Sequence, residues 1–119
     1  MNYKQQAIKE LATAIKSQGF RVFIAKNGGY GFYTDQDGTK VISFQYNLGG
    51  YSCSGNYKTN QPTQTGTGWG ISNDFTSYHA KDAFDQTPPE WALGKAEWQY
   101  TTLDQHLGQY QKSSGYTEL

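Results

Sequence analysis

The sequence predicts an α+β domain: an N-terminal helix packed on a four- to five-stranded antiparallel β-meander, followed by short C-terminal helices. Two patterns predict this class. Apolar residues first recur at helical spacing, and alternating apolar residues then recur between turn-forming segments. At 119 residues the chain has the size of one domain, which we assign to 1–119. Aliphatic residues are scarce, but ten Tyr and three Trp residues supply apolar area for a core.

The N-terminal helix is predicted over residues 3–18. Ile8, Leu11 and Ile15 lie three or four residues apart and therefore share one helical face. Gly19 follows, at the position where a glycine in the left-handed conformation commonly ends a helix. We expect the apolar face of this helix to cover the sheet.

Four runs of alternating apolar residues predict consecutive antiparallel strands. If 47–50 is a four-residue loop, Phe44 faces Cys53 on one side of the sheet. The same parity in the preceding hairpin pairs Phe32 with Ile42. The predicted core face, which the helix covers, comprises Phe20, Val22, Ile24, Tyr30, Phe32, Ile42, Phe44, Tyr46, Tyr51, Cys53 and Tyr57.

The second half of the chain predicts shorter elements. Polar residues 59–68 are typical of an ordered loop, and Trp69–Ser72 add a short fifth strand. Capping-box patterns at 87–90 and 101–104 predict the starts of two short helices.

Residues that commonly perform catalysis are sparse in this sequence. His79 and His106 are 27 residues apart and form no HExxH motif, so the spacing predicts no metal site. Cys53 is the single cysteine, and its strand position predicts a buried, inert thiol. We therefore predict no enzymatic activity, no catalytic residues and no cofactor. An enzyme that uses one of the two histidines is the less favoured alternative.

Charge is balanced overall but uneven along the chain. Residues 1–58 carry seven Lys or Arg against three acidic residues, and residues 59–119 reverse these numbers. Such asymmetry can orient a partner or a second copy of the chain, so a homodimer is one option. The bases are scattered and include one Arg, which argues against a nucleic-acid partner. Because no apolar run approaches the ~20 residues of a membrane span, we expect no membrane partner and a cytoplasmic location.

The sheet face opposite the predicted core, here called the outer face, carries polar and aromatic residues. It is either a solvated surface, partly covered by the C-terminal helices, or a recognition surface in which uncharged hydrogen-bonding groups lie beside aromatic rings. The residues that we predict for binding are Phe23, Tyr33, Gln45, Ser54, Asn56 and Trp69.

Two segments of the chain, 54–58 (SGNYK) and 64–69 (QTGTGW), together resemble segments of small accessory proteins of unknown function carried on phages, plasmids and integrating elements. The resemblance implies a protein that occludes a host protein, in some cases to counter host defence, and it implies no site. We therefore expect a non-enzymatic protein-binding accessory or inhibitor protein of a mobile genetic element, with a host or element-encoded protein as partner.

A small-ligand or carbohydrate-binding module is the alternative function. Aromatic rings beside Asn, Gln and Ser are a common way of holding sugars. The shape of the outer face separates the two hypotheses: a flat face favours a protein partner, whereas a cleft of ~300 Å³ or more favours a small ligand.

Overall fold

The computed structural model describes residues 2–47, 50–58, 65–67, 71–72, 79–85, 99–110 and 115–119. Its elements in chain order are α1 (Tyr3–Ser17), β1 (Arg21–Ala25), β2 (Tyr30–Thr34), β3 (Val41–Asn47), β4 (Gly50–Lys58), β5 (Thr65–Thr67), β6 (Ile71–Ser72), α2 (Ala80–Phe84), β7 (Gln99–Tyr100), α3 (Leu103–Tyr110) and β8 (Tyr116–Glu118). The described strands form one antiparallel sheet in the order β5-β4-β3-β2-β1-β8, and β6 and β7 also pair with β4. The predicted α+β fold, a helix on an antiparallel meander, is confirmed.

Local hydrogen bonds define both ends of α1. The side-chain oxygen of Asn2 accepts from the backbone N–H of Gln5 at 2.9 Å, and the side chain of Gln5 accepts from the backbone N–H of Asn2 at 3.2 Å. This reciprocal pair is a capping box. At the other end Gly19 has a φ of +97°, which a glycine adopts without strain. The helix buries the predicted apolar face, which comprises Ile8, Leu11 and Ile15.

The hairpin of β3 and β4 has the predicted register. Phe44 pairs with Cys53 and Tyr46 pairs with Tyr51. Phe44 is 1% exposed on the helix side of the sheet, whereas the neighbouring Gln45 is exposed on the outer face. The prediction that Ile42, Phe44, Tyr46, Tyr51 and Cys53 face the helix is therefore confirmed, whereas the predicted core side chain of Tyr57 lies outside the described part of the structure.

The register of β2 differs from the prediction by one residue. Phe32 pairs with Ser43, and Tyr33 pairs with Ile42. A shift of one residue reverses every side chain in a strand. Phe32 and Tyr30 therefore point to the outer face, and Tyr33 points toward α1. The prediction that Phe32 and Tyr30 lie in the helix-covered core and that Tyr33 lies on the outer face is wrong.

The turn between β2 and β3 explains this difference. The carboxylate of Asp35 accepts from the backbone N–H of Thr39 at 2.8 Å and from its hydroxyl at 2.6 Å. These bonds close a connection over 35–40, between the paired residues Thr34 and Val41. The connection has an even number of residues, whereas the predicted pairing of the two strands requires an odd number.

Both faces of the sheet are partly covered. On the outer face, Phe23 and Phe32 stack with 4.8 Å between ring centroids, and Leu103 of α3 packs on this apolar cluster. The backbone N–H of Leu103 donates to the carbonyl of Gly38 at 2.9 Å and so ties α3 to the β2–β3 turn. The helix-side core contains Ile8, Leu11, Ala12, Ile15, Val22, Tyr33, Ile42, Phe44, Tyr51, Cys53, Ala80 and Ala83.

The start of α3 is one residue later than predicted. Thr102 and Gln105 form the capping box, because each side chain bonds the backbone N–H of the other residue. Thr101 instead donates its N–H to the carbonyl of Asn56 at 2.8 Å. The predicted capping box at 87–90 lies outside the described residues.

Gly31 provides a test of the β2 register. A Cβ atom at this position would lie 2.5 Å from the Cζ atom of Phe44 and 2.6 Å from the carbonyl oxygen of Phe23. We predict that Gly31→Ala lowers the free energy of unfolding by about 1–3 kcal/mol, because the core is overpacked. Urea denaturation measures the change.

Gly108→Ala is the matched control. In α3 a Cβ atom at Gly108 meets nothing within 4 Å, and alanine favours a helix over glycine by about 1 kcal/mol. This variant should be at least as stable as the wild type. A Gly31→Ala variant of wild-type stability would contradict the register.

Candidate binding pocket on the outer sheet face

A pocket of about 390 Å³ opens on the outer face where the cover provided by α3 ends. Strands β3 and β4 supply most of its lining, because residues two apart on a strand share a face. Tyr30 of β2 and His106 of α3 form part of its walls. The described lining comprises Tyr30, Ser43, Phe44, Gln45, Ser52, Ser54, Asn56 and His106.

The floor of the pocket is a polar array, defined here as Ser43, Gln45, Ser52 and Ser54. Ser43 lies opposite Ser54, and Gln45 lies opposite Ser52. Cβ atoms of opposite residues are about 5 Å apart, and residues two apart along a strand are about 7 Å apart. All four residues are at least partly exposed. Each hydroxyl or amide both donates and accepts hydrogen bonds, so the array can match ligand groups of either kind.

Asn56 joins the polar array to α3. Its Nδ2 atom donates to Ser43 Oγ at 2.8 Å and lies 3.1 Å from Nδ1 of His106. Because Nδ2 is a donor, we assign Nδ1 as the acceptor and place the proton of neutral His106 on Nε2. Asn56 is 9% exposed, so this network is shielded from water and fixes the edge of the pocket.

His106 is enclosed by aromatic rings. It is 2% exposed, and its ring centroid lies 4.4 Å from that of Phe32 and 6.3 Å from that of Tyr116. Burial disfavours the charged imidazolium and lowers the pKa of His106 to about 4. The side chain is therefore neutral at pH 7 and adds no charge to the pocket.

Tyr30 stands beside the polar array. It pairs with Gln45 across β2 and β3, and Gln45 pairs with Ser52, so the three side chains form one row across the outer face. The hydroxyls of Tyr30 and Tyr116 are hydrogen-bonded, and their rings meet edge to face with 5.9 Å between centroids. The half-buried Tyr30 ring is thereby fixed next to the exposed amide of Gln45.

Three of the residues predicted for binding come together in this pocket: Gln45, Ser54 and Asn56. The sequence reasoning missed Tyr30 and His106. It placed Tyr30 on the wrong face because it assumed an odd β2–β3 connection. It did not place His106 at the binding site, because nothing in α3 itself indicates a contact with Asn56, 50 residues earlier.

The other three predicted binding residues do not line the pocket. Phe23 is on the outer face but is 5% exposed, beneath the Leu103 side of α3. Tyr33 is fully buried on the opposite face, where its hydroxyl donates to the carbonyl of Ala80 at 2.9 Å. Phe23 and Tyr33 therefore pack inside the described part of the fold and do not line the pocket. Trp69 lies outside the described residues.

The remaining candidates for chemistry lie apart from the pocket. Cys53 is fully buried on the helix side of the sheet, and His79 is exposed just before α2. Within the described ranges no three or more His, Cys, Asp or Glu side chains group as metal ligands. Among the same residues, no helix has the length and apolar character needed to cross a membrane.

No protein-family model, curated protein or solved structure matches the chain. The resemblance of 54–58 and 64–69 to accessory proteins of mobile elements therefore stays a prediction.

The buried His106 predicts a loss of stability on acidification. Its pKa is about 4 in the folded protein and 6.5 ordinarily, so the unfolded chain takes up the proton first as the pH falls. Stability should therefore decrease between about pH 6.5 and pH 4, by roughly 3 kcal/mol from this group, and its contribution should level off below that window. Urea denaturation at pH 7 and pH 4.5 measures the difference.

The variant His106→Gln removes the histidine but keeps every carboxylate. It therefore separates the pH-dependent stability that comes from His106 from the part that comes from the carboxylates. The variant should be less stable at pH 7 but should lose less stability than the wild type on acidification. Equal pH dependence in the two proteins would contradict the assignment of a buried neutral histidine.

Proposed function

We propose that the protein is a non-enzymatic binding protein whose outer-face pocket holds a small, uncharged, polar molecule. The observation that carries the proposal is the concave site itself. Its volume of about 390 Å³ lies within the range of ~300–1,000 Å³ that is typical of small-molecule sites. A few convergent polar groups beside an aromatic ring are also typical of such sites.

The chemistry of the lining supports an uncharged ligand. The described lining contains no Asp, Glu, Lys or Arg, and His106 is neutral at pH 7. Against these described residues a charged ligand would lose its water shell without gaining an opposite charge, at a large cost in free energy. Serine hydroxyls and the Gln45 amide instead replace the hydrogen bonds that a neutral polar molecule makes with water.

The state of His106 supports binding rather than catalysis. A general base needs a pKa near the working pH and access to the substrate. His106 has a pKa of about 4, is 2% exposed, and directs Nδ1 to Asn56. Its geometry suits a residue that positions Asn56 and, through Asn56, Ser43.

The second hypothesis, a protein-binding accessory or inhibitor protein of a mobile genetic element, stays a prediction. A cleft of this volume favours a small ligand over a protein surface. A substitution that fills the pocket distinguishes the two functions.

A pocket-filling substitution tests the proposal. Ser54 is half-buried and lines the pocket, so the side chain of a Ser54→Tyr variant has room to enter it. Ser17→Tyr is the matched control, because Ser17 lies on the exposed face of α1. Ligand-observed NMR against a library of uncharged polar metabolites should detect binding to the wild type and to Ser17→Tyr, and loss of binding to Ser54→Tyr.

Thermal melting of both variants establishes that they are folded. The proposal fails if no member of the library binds the wild type, or if every binding compound still binds a folded Ser54→Tyr variant. A different pair of results would favour the second hypothesis. In that case Ser54→Tyr abolishes the binding of a purified protein partner, and no small molecule of the library binds the wild type.

A further inference from the structure

The polar and apolar parts of the pocket are arranged in a way that narrows the class of ligand. The row of Tyr30, Gln45 and Ser52 crosses three neighbouring strands. One end of this row offers the apolar ring of a tyrosine, and the other end offers an amide and a hydroxyl. A ligand that fills the pocket therefore has an apolar surface on one side and several hydrogen-bonding groups on the other.

The second row of the polar array, Ser43 and Ser54, offers only hydroxyls. Ser43 pairs with Ser54, whereas Phe32, which pairs with Ser43 on the other side, is fully buried and does not line the pocket. Because Ser43 Oγ already accepts a hydrogen bond from Asn56, its hydroxyl proton is available for a ligand oxygen. The polar array thus presents three serine hydroxyls and the primary amide of Gln45 on a surface that is two strands wide and two outward-facing residues long.

Several freely rotating hydroxyls suit ligand groups that are themselves hydroxyls, since each partner can act as donor or acceptor. A nucleobase has fixed donors and acceptors on its edge, and it has two flat faces that both need apolar cover. The described lining offers one exposed aromatic surface, that of Tyr30. A sugar ring has a C–H face and a rim of hydroxyls, which correspond to the Tyr30 ring and to the polar array.

We infer that the pocket binds a neutral saccharide of one or two rings, with its C–H face against Tyr30 and its hydroxyls on Ser43, Gln45, Ser52 and Ser54. The inference rests on the proposed function and adds the substrate class to it. The volume of about 390 Å³, near the lower end for ligand sites, sets the size of the saccharide.

Saturation-transfer difference NMR tests the inference with glucose, galactose, mannose and N-acetylglucosamine as probes, and with uridine and cytidine as neutral nucleosides for comparison. At least one sugar should bind, with the strongest transfer to the C–H protons of one ring face. Tyr30→Ala and Ser54→Ala should each weaken its binding about tenfold or more, the loss expected for ~1.4 kcal/mol.

Two further variants make the readout specific. Tyr30→Phe keeps the ring but loses the hydroxyl that bonds Tyr116, so it should weaken sugar binding less than Tyr30→Ala does. Ser17→Ala removes a hydroxyl that bonds the Ala14 carbonyl on α1, away from the pocket, and should have no effect on binding.

Each result decides the inference. Sugar binding that Tyr30→Ala and Ser54→Ala leave unchanged overturns it, because the sugar then binds elsewhere. Suppose that none of the four sugars binds, but that a nucleoside or another library compound binds and Ser54→Tyr abolishes this binding. This result overturns the inference of a saccharide ligand and supports the proposed function. If neither the sugars nor any library compound binds, the inference and the proposed function both fail.

Discussion

The hydrogen bonds between Asp35 and Thr39 close the β2–β3 turn and set the register of β2, on which the rest of the structure depends. With this register Tyr33 enters the core beneath α1, where its hydroxyl reaches the carbonyl of Ala80. Phe32 lies on the other face, against Phe23. A slip of one residue would exchange these side chains and leave the outer face without its aromatic cluster.

The aromatic cluster in turn positions α3 and with it the pocket. Leu103 packs on Phe23 and Phe32, which brings His106, one turn further along α3, above the strands. His106 then meets Asn56, whose amide also holds Ser43. The pocket therefore lies at the boundary between the apolar half of the outer face, which α3 covers, and the polar half, which forms the floor of the pocket.

The elements with a one-sided pattern were predictable from the sequence. α1 has one apolar face, and β3 and β4 alternate between apolar residues and Ser or Gln, so Gln45 and Ser54 were placed correctly. β2 has aromatic residues at two even positions, 30 and 32, and at one odd position, 33. Alternation therefore does not show which side of this strand faces α1. The length of the following turn decides it, and the contact of Asn56 with His106 follows only from that tertiary arrangement.

The most direct test of this account is a set of nuclear Overhauser effects from the two neighbouring aromatic rings of β2. The account predicts contacts from the Phe32 ring to His106, whose ring centroid is 4.4 Å away, and from the Tyr33 ring to Phe20, whose centroid is 5.2 Å away. Contacts from Phe32 to Leu11 of α1 would contradict it. They would place Phe32 beneath the helix, away from His106, which lines the pocket.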